Sequence, residues 1–543
     1  MFLYYINLQF RTQFSYLCYN SRIIPGKIMI KEIEIVLIPE HATDEEIIYQ
    51  TACKALNLSP ERVKSVQTLK RSIDARGRKV VFRLKVNVFI DEVPEPEIIA
   101  VLDQNVSDKK PVLIIGAGPA GLFAALRCIE LGLKPIVIER GKDVKQRRRD
   151  LALINKEGVI NNDSNYCFGE GGAGTYSDGK LYTRSNKRGD IQYVLKTFVD
   201  HGATKDILID ARPHIGTNKL PGIITSIREK ILNGGGEIHF DCRLTDLIIS
   251  NNHLKGVLAG DNKFEAESVI LATGHSARDI YYLLERHKIL IEPKPFALGV
   301  RIEHPQEIID QAQYHCIDRG PYLPPSYYSL VEQVDNRGVF SFCMCPGGII
   351  APCSTDQNEI VVNGWSPSKR NNPFANSGTV VQVNLEDVPG SIDDPFKMLK
   401  FQSEVEKFAF QAGGGNLVAP AQRMLDFVNN RISENLPKNS YIPGTRSANL
   451  SAVLPDFIYK RLQKALPAFG KKMNGYFTNE AILVGVESRT SSPLRIPRDK
   501  ESLEHPQLSG FFPCGEGAGY AGGIVSAAID GMNCAEAAFK KMK

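Results

Sequence analysis

Three glycines and one acid have the types and spacing needed to bind a dinucleotide. Gly116, Gly118 and Gly121 form a Gly-x-Gly-x-x-Gly pattern, and Glu139 follows further along the chain. In such a pattern the first glycine permits a tight turn, the second lets the backbone approach a pyrophosphate, and the third lets a helix pack closely on a sheet. A carboxylate at Glu139 would accept hydrogen bonds from ribose hydroxyls and repel a 2′-phosphate. The set predicts a site for FAD or NAD rather than NADP.

The residues around this pattern predict the elements that position it. Residues 112–115 form a short apolar run typical of a buried strand, and the apolar spacing of residues 122–129 predicts a helix after the glycines. Residues 136–138 predict a second parallel strand that ends at Glu139. The phosphates would then lie at the helix N-terminus, where backbone N–H groups are unpaired and the helix dipole is positive.

Further glycine-rich segments favour FAD over NAD. Residues 168–182 read FGEGGAGTYSDGKLY, which predicts a backbone close to a flat or phosphorylated ligand; a flexible surface loop is the alternative. Residues 269–274 read VILATG and predict a strand that ends beside the cofactor. Residues 510–531 predict a strand, a glycine turn and a helix whose N-terminus would stabilise negative charge on a reduced flavin. The predicted cofactor-binding residues are Gly116, Gly118, Ala120, Gly121, Glu139, Arg140, Gly171, Gly172, Gly174, Thr273, Gly274, Gly515, Glu516, Gly522, Gly523 and Ile524.

Two residues are candidates for catalysis. His275 follows the Thr-Gly of the VILATG strand, and its ordinary pKa suits proton transfer at neutral pH. A histidine that only binds FAD or caps a helix is the alternative. Arg489 would clamp an anionic substrate or the flavin pyrimidine edge, with a structural ion pair as the alternative.

The cysteines raise the question of a redox dithiol. Cys343 and Cys345 are adjacent but one, so a strand would place them on the same face, and a bridge between them would be strained. The Cys-x-x-Cys spacing of thioredoxin-like motifs is absent, which favours structural thiols. No cluster has the spacing of a zinc site, and no Gly-x-Ser-x-Gly elbow of a serine hydrolase is present. We therefore predict no metal.

Composition narrows the class of protein. The chain has 543 residues and a net charge of +5, which is typical of a soluble globular protein of roughly three domains and does not indicate a nucleic-acid binder. Eleven scattered cysteines favour a reducing compartment, and we expect a cytoplasmic protein without a membrane span. Residues 1–28 read as an extension before Met29, expected to be poorly ordered; a mitochondrial-type targeting peptide is the alternative.

The order of predicted elements gives an α/β fold. Residues 109–291 and 477–543 are predicted to form a split FAD-binding domain of the two-dinucleotide-binding type, with a Rossmann-like parallel sheet. Residues 292–476 lose the βαβ rhythm and are predicted to form an inserted mixed α+β substrate or cap domain. Residues 29–108 predict a small ferredoxin-like α+β module.

Taken together, the motifs resemble a bacterial family of uncharacterised FAD-dependent dehydrogenases, or NAD(P)/FAD-dependent oxidoreductases, that carry an FAD-dependent C-terminal domain. The resemblance covers about residues 29–543. It implies an FAD-bound oxidoreductase with an N-terminal appendage, and the family has no settled substrate. The segments that carry it are the glycine pattern with Glu139, residues 169–180, RPHIGT at 212–217, ATGHSARD at 272–279, FCMCPG at 342–347, ESRTSSP at 487–493, and residues 514–523.

These observations predict an FAD-dependent oxidoreductase acting on an unidentified small organic substrate, with the flavin carrying the hydride. No second full glycine pattern exists to hold a nicotinamide stably, so NAD(P)H is expected either to dock briefly as an electron donor or to be absent. The alternative is a flavin-containing binding or regulatory protein, RNA-associated through the N-terminal module. Alternating Arg83 and Lys85 would suit such a surface, but the pattern favours an ordinary half-exposed sheet.

Overall fold

A computed structural model describes residues 29–94, 104–183 and 189–543. Its contacts divide the described chain into two compact units, residues 29–94 and residues 104–543. The predicted extension at residues 1–28 lies outside the described residues. None of the described helices combines the length and the apolar character needed to cross a bilayer.

The N-terminal unit is a three-stranded antiparallel sheet with one helix. Its elements are β1 (Met29–Leu37), α1 (Glu45–Leu56), β2 (Val63–Asp74) and β3 (Val81–Ile90). The sheet order is β1-β3-β2, and Asp44 caps α1 by accepting hydrogen bonds from two backbone N–H groups. This β-α-β-β order matches the first part of the predicted ferredoxin-like module. A second helix and a fourth strand do not occur within residues 29–94.

The second unit is built on two large sheets. Its strands are β4 (Pro111–Ile115), β5 (Lys134–Ile138), β6 (Glu237–His239), β7 (Leu244–Ser250), β8 (His253–Ala259), β9 (Asn262–Glu265), β10 (Val269–Leu271), β11 (Glu292–Pro293), β12 (Phe296–Pro305), β13 (Val331–Val334), β14 (Arg337–Cys345), β15 (Ile349–Pro352), β16 (Val362–Trp365), β17 (Phe374–Val383), β18 (Ala419–Arg423), β19 (Thr445–Ser447), β20 (Ile482–Glu487), β21 (Leu494–Arg495) and β22 (Phe511–Pro513). Its helices are α2 (Pro119–Glu130), α3 (Val144–Glu157), α4 (Ile191–Asp200), α5 (Leu220–Asn233), α6 (Arg278–Arg286), α7 (Gln306–Tyr314), α8 (Lys397–Gly413), α9 (Met424–Val428), α10 (Asp456–Lys472) and α11 (Ile524–Met542).

The first large sheet is parallel and has the order β22-β10-β4-β5-β6. Its central strand β4 is almost wholly buried, as its continuous apolar sequence requires for a strand covered on both faces. Helices α2 and α11 pack against each other beside this sheet, although their sequences lie at opposite ends of the unit. The C-terminal segment therefore completes the parallel sheet that the glycine pattern begins.

The second large sheet is mixed and has the order β13-β14-β17-β12-β20-β18-β19. Its neighbours pair antiparallel except β18 and β19, which run parallel. Strand β20 pairs with β12 and β18, so this sheet extends past residue 476, where the sequence predicted the return to the FAD-binding domain. The apolar run of β20 is compatible with either sheet, and its pairing partners place it in the mixed one.

Candidate functional site

A cavity opens at the carboxyl ends of β4, β5, β10 and β22, where ligands gather in open parallel sheets. The predicted residues that line it are Gly116, Gly118, Ala120, Glu139, Arg140, Gly172, Gly174, Thr273, Gly274, His275, Arg489, Gly515, Glu516, Gly522, Gly523 and Ile524. Gly121 and Gly171 do not line the cavity themselves, but they shape the backbone next to the residues that do. Residues from β14, β16 and β20 close the opposite side.

The turn between β4 and α2 is shaped by its glycines. Gly116 has φ +106°, a conformation that residues with a Cβ rarely adopt. Gly118 is the N-cap of α2 and has no side chain to bond the first-turn N–H groups. The N-terminus of α2 is thus bare and faces the cavity, as a pyrophosphate site requires.

Glu139 is fixed at the tip of β5 by backbone donors. Its Oε1 accepts hydrogen bonds from the N–H groups of Gly141 and Gly169, both at 2.9 Å, and its Oε2 accepts one from Ala117 at 2.8 Å. Each carboxylate oxygen has two lone pairs, so Oε2 keeps one for a ribose hydroxyl. The carboxylate lines the cavity at the position predicted for the ribose.

The glycine-rich loop is held firmly against the α2 turn. The N–H of Gly171 donates to the carbonyl of Ala117 at 2.8 Å, and a Cβ on Gly172 would lie 3.1 Å from the Cα of Gly118. Buried Arg147 donates to three loop carbonyls, those of Asn165, Tyr166 and Glu170. These contacts place the loop in the wall of the cavity.

The C-terminal segment brings a second helix N-terminus to the cavity. Gly523 is the N-cap of α11, has φ +149°, and supplies no side-chain cap. A Cβ on Gly531 would lie 2.0 Å from the carbonyl oxygen of Ala120, so α11 and α2 touch through their backbones. Asp530, paired with Arg498 at 2.6 Å, accepts the N–H of Gly515 at 2.7 Å and fixes the turn before α11.

These features fit FAD. A bare helix N-terminus, a cradle that a Cβ would fill and a carboxylate with a free lone pair line one continuous cavity. The cavity also includes a second helix N-terminus, whose N-cap residue Gly523 brings no side chain and donates its backbone N–H to Glu516. Gly116, Gly118 and Gly172 would hold the pyrophosphate and Glu139 the ribose. The N-terminus of α11 would lie at the flavin, where its dipole stabilises negative charge.

His275 and Glu516 lie next to each other in the cavity wall. Their Nε2 and Oε2 atoms are 3.7 Å apart, and His275 Nδ1 has no hydrogen-bond partner among the described residues. Burial, reinforced by the positive charges of Arg489 and Lys294, lowers the pKa of His275 to about 4. Desolvation therefore disfavours the charged imidazole, and the proton-transfer role of His275 stays a prediction. Burial raises the pKa of the neighbouring Glu516 carboxyl.

Arg489 belongs to a balanced ion-pair network. Its Nη2 lies 3.0 Å from Glu406 and 3.2 Å from Glu359, and Arg278 pairs with the same two carboxylates at 2.7 and 2.8 Å. Arg489 also donates to Thr355 Oγ1 at 2.8 Å. The guanidinium faces the cavity but its charge is already neutralised, as in the structural alternative considered from the sequence.

A group of charged residues and thiols closes the far side of the cavity, and we call it the thiol cluster. Its members are Asp178, Lys180, Arg301, Cys343, Cys345, Arg370 and Glu487. The sequence predicts for Cys343 only a place in a strained dithiol, and it predicts no role for Lys180 or Glu487. The sequence indication that Lys180 is functional is the Ser-Asp-Gly tripeptide before it, since a charged pair inside a glycine-rich loop is unusual.

Cys514, Asp530 and Cys534 also converge within the described part of the chain, at a spacing that a metal ion could use. The guanidinium of Arg498 donates to both Asp530 oxygens, at 2.6 and 3.0 Å, and so occupies the carboxylate. This group is explained as a structural ion pair.

Comparison with known proteins agrees with the site. A model of the C-terminal domain of FAD-dependent proteins matches residues 295–490, and an FAD-binding domain model matches residues 111–147. Residues 29–89 match a domain of unknown function. An uncharacterised protein from Clostridium beijerinckii is 39% identical over 520 residues, which cover 92% of this chain and 96% of the relative. The chain belongs to this family of uncharacterised FAD-dependent proteins. FAD is its cofactor, and the chain is a flavoprotein.

Solved flavoproteins are only distantly similar. A flavin-dependent brominase is 14% identical with a TM-score of 0.35, over 79% of this chain and 78% of that one. A geranylgeranyl bacteriochlorophyll reductase-like protein from Thermoplasma acidophilum is 13% identical with a TM-score of 0.33, over 80% and 79%. Glycine oxidase from Bacillus cereus is 13% identical with a TM-score of 0.29, over 80% and 96%. Likeness at this level carries no argument about the reaction.

Proposed function

We propose that the protein is an FAD-dependent oxidoreductase that transfers a hydride between the flavin and a small organic substrate. The observation that carries this is the shared cavity, in which the dinucleotide-binding elements continue directly into a wall of unassigned polar groups. His275, Glu516 and Cys343 stand in that wall beside the N-terminus of α11. A protein that only stored FAD would have no need of titratable groups at this end.

The roles of the chain's own residues follow from their environment. FAD, when bound, supplies the redox chemistry. Neutral His275 would orient substrate through its unpartnered Nδ1, and Glu516, with its raised pKa, would hold or release the proton that accompanies hydride transfer. The partial positive charge at the start of α11 would stabilise the negative charge of the reduced state.

The mixed sheet is proposed to be the substrate-holding part of this enzyme. Strands β14, β16 and β20 contribute Cys343, Trp365 and Glu487 to the cavity wall opposite the cofactor-binding turn. NAD(P)H is proposed as a donor that docks briefly, because one glycine pattern serves FAD and no second one is present in the sequence.

Turnover tests the proposal. Purified protein loaded with FAD is given NADH, NADPH or a panel of small oxidisable compounds, and reduction of dichlorophenolindophenol is followed. We expect one donor to support multiple turnovers. The matched control is Gly118→Val, which should lose FAD and with it the activity. A rate that is equal in wild type and variant would show that the dye reduction does not depend on this cavity.

The RNA-associated alternative finds no support in the N-terminal unit. Arg83 pairs with Glu34 at 2.7 Å and with Asp74 at 2.8 Å, and Lys85 pairs with Glu32 at 2.7 Å. Phosphate contacts need basic groups free to bind them. The alternative predicts salt-dependent RNA binding that is lost on deletion of residues 30–108 while the flavin content stays unchanged.

A further inference from the structure

Strand β14 is irregular where its two cysteines lie. Its pairing with β17 shifts register between Phe342 and Cys345, and Cys343 has φ +46°, a left-handed conformation rare for residues with a Cβ. The ammonium of Lys180 donates to both sulfur atoms, to Cys343 Sγ at 3.5 Å and to Cys345 Sγ at 3.2 Å. At this bulge, therefore, a single ammonium group interacts with both thiols.

The charged side chains of the thiol cluster, counted without its cysteines, have one more positive than negative charge. Its charged side chains are three cations and two carboxylates: Lys180, Arg301, Arg370, Asp178 and Glu487. Arg301 and Glu487 are buried partners at 2.9 Å, and Asp178 is shared by Arg370 at 3.0 Å and Lys180 at 3.7 Å. A thiolate at Cys343 would balance this set. Two carboxyl groups also face the sulfur: burial raises the pKa of Glu487 to about 7 and raises the pKa of Glu516, which lowers the negative charge that they contribute. In agreement, hydrogen bonding from Cys345 and the charges of Lys180 and Arg301 hold the pKa of Cys343 well below its usual value.

Cys343 is also placed to meet a substrate. It lines the flavin cavity and, on its other side, a second cavity bordered by Tyr182, Arg212 and Tyr327. Both cavities include Gly522 to Ile524 at the start of α11. A molecule entering through the second cavity would therefore reach the sulfur and the flavin end of the cofactor site together.

We propose that Cys343 is the nucleophile that attacks a small disulfide substrate, and that Cys345 resolves the product. This assignment rests on the proposed function for the source of electrons. The bulge, the shared Lys180, the charge balance and the two cavities carry it. The substrate class that it names is a low-molecular-weight disulfide.

The reaction balances in three steps. The Cys343 thiolate attacks one sulfur of the disulfide R–S–S–R, the S–S bond breaks, and R–S⁻ leaves and takes a proton. Cys345, after losing its proton, attacks the Cys343 sulfur of the mixed disulfide and releases the second R–S⁻, which leaves a Cys343–Cys345 bridge. Return of the bridge to the Cys343 thiolate and the Cys345 thiol takes two electrons and one proton; FAD, when bound and reduced by NAD(P)H, would supply the electrons. A bridge between adjacent-but-one cysteines is strained and therefore easily reduced, which suits a transient state.

The first experiment measures how far Cys343 is ionised to the thiolate in holoprotein whose flavin is oxidised. Iodoacetamide labelling is followed by peptide mass spectrometry between about pH 5 and about pH 9, because a free thiol reacts fully only above ~8.5. We expect Cys343 to be labelled at pH 7 at close to its maximal rate. Lys180→Met should slow labelling at pH 7 about tenfold, the equivalent of one pKa unit, while Lys180→Arg should preserve it. Cys316→Ser, which removes a thiol outside both cavities, is the matched control and should leave Cys343 labelling unchanged.

The second experiment tests the substrate class. Oxidised holoprotein incubated with bis(2-hydroxyethyl) disulfide should form a mixed disulfide at Cys343 that accumulates in Cys345→Ala and is resolved in wild type. Anaerobically reduced protein should be reoxidised by the same disulfide, and Cys343→Ser should abolish that reoxidation. Labelling of Cys343 only above about pH 8.5, or equal reoxidation in Cys343→Ser, would overturn the proposal.

These outcomes are separable from failure of the proposed function. Labelling and mixed-disulfide formation need no electron donor, so they proceed in a protein that never turns over. A protein that is reduced by NAD(P)H but not reoxidised by the disulfide would remain an oxidoreductase and would refute only the substrate class.

Discussion

The carbonyl oxygen of Gly116 occupies the space that a side chain on Gly121 would need, since a Cβ at Gly121 would lie 1.9 Å from it. Helix α2 thus rests directly on the turn that would hold the cofactor phosphates. A Cβ on Gly118, in the same turn, would have no protein atom closer than 3.9 Å. The third glycine of the pattern is therefore required by the fold, whereas the second leaves space in which the cofactor phosphates would fit.

This difference predicts how Gly118→Val behaves. The variant should fold with an unfolding temperature near that of wild type, because its Cβ would have no protein atom closer than 3.9 Å and both methyl groups can turn towards the cavity. It should lose FAD, because the side chain occupies the phosphate space. The ratio of flavin to protein absorbance measures the loss. Gly222→Ala, in open space on α5, is the matched control and should keep its FAD, and Gly121→Ala should fail to fold. A fully loaded Gly118→Val protein would place the cofactor elsewhere.

Arg489→Met is expected to reduce stability before it affects substrate binding. Removing one partner of a buried ion pair typically costs about 3–5 kcal/mol, and here two buried carboxylates would be left with a single cation between them. Glu406 would keep only Arg278 as a cationic partner. Urea unfolding measures the loss. An Arg489→Met protein with wild-type stability and a raised KM would instead support a substrate clamp.

His275→Gln is expected to retain FAD and to slow flavin reduction. The pH dependence of the reduction rate should keep the same inflections as in wild type. The wild-type pKa is about 4, so the imidazole stays uncharged from about pH 5 upward and has no transition near pH 6.5. Gln preserves a donor and an acceptor, whereas Ala should slow reduction further. Reduction rates measured across pH decide this. A wild-type inflection near pH 6.5 that disappears in His275→Gln would contradict the account.

The burial of His304 is expected to contribute to the loss of folding stability at acidic pH. It is fully buried, its Nε2 donates one hydrogen bond to the carbonyl of Tyr476 at 2.8 Å, and burial lowers its pKa to about 4. The unfolded chain therefore binds the proton more readily than the folded one, and stability falls as the pH drops from about 6.5 towards 4. The loss at pH 5 is about 2 kcal/mol at most. Urea midpoints at pH 7 and pH 5 should differ less in His304→Gln than in wild type; an unchanged difference would exclude this residue.

The parts of the site that sequence predicts are those encoded locally. The turn of Gly116, the tip of β5 at Glu139 and the start of α11 each combine a strand, a turn and a helix within one short segment, so spacing alone locates them. The convergence of the two ends of the unit on one cavity also follows, since parallel strands place their carboxyl ends at one edge.

The remaining features depend on contacts between distant residues. Lys180 meets Cys343 across 163 positions of the chain, and no spacing rule connects them. The pKa of His275 is lowered by burial and by Arg489 and Lys294, which are distant in the chain, so its environment could not be read from the adjacent sequence. Strand β20 is apolar on both faces, and only its pairing with β12 and β18 shows which sheet it joins.

The visible spectrum of the purified protein, recorded anaerobically before and after NADH, NADPH and small oxidisable substrates, tests the central claim most directly. The account predicts an oxidised flavin spectrum that one donor bleaches, and that Gly118→Val lacks. A yellow protein that no donor reduces would contradict an oxidoreductase and favour a flavin-containing binding protein.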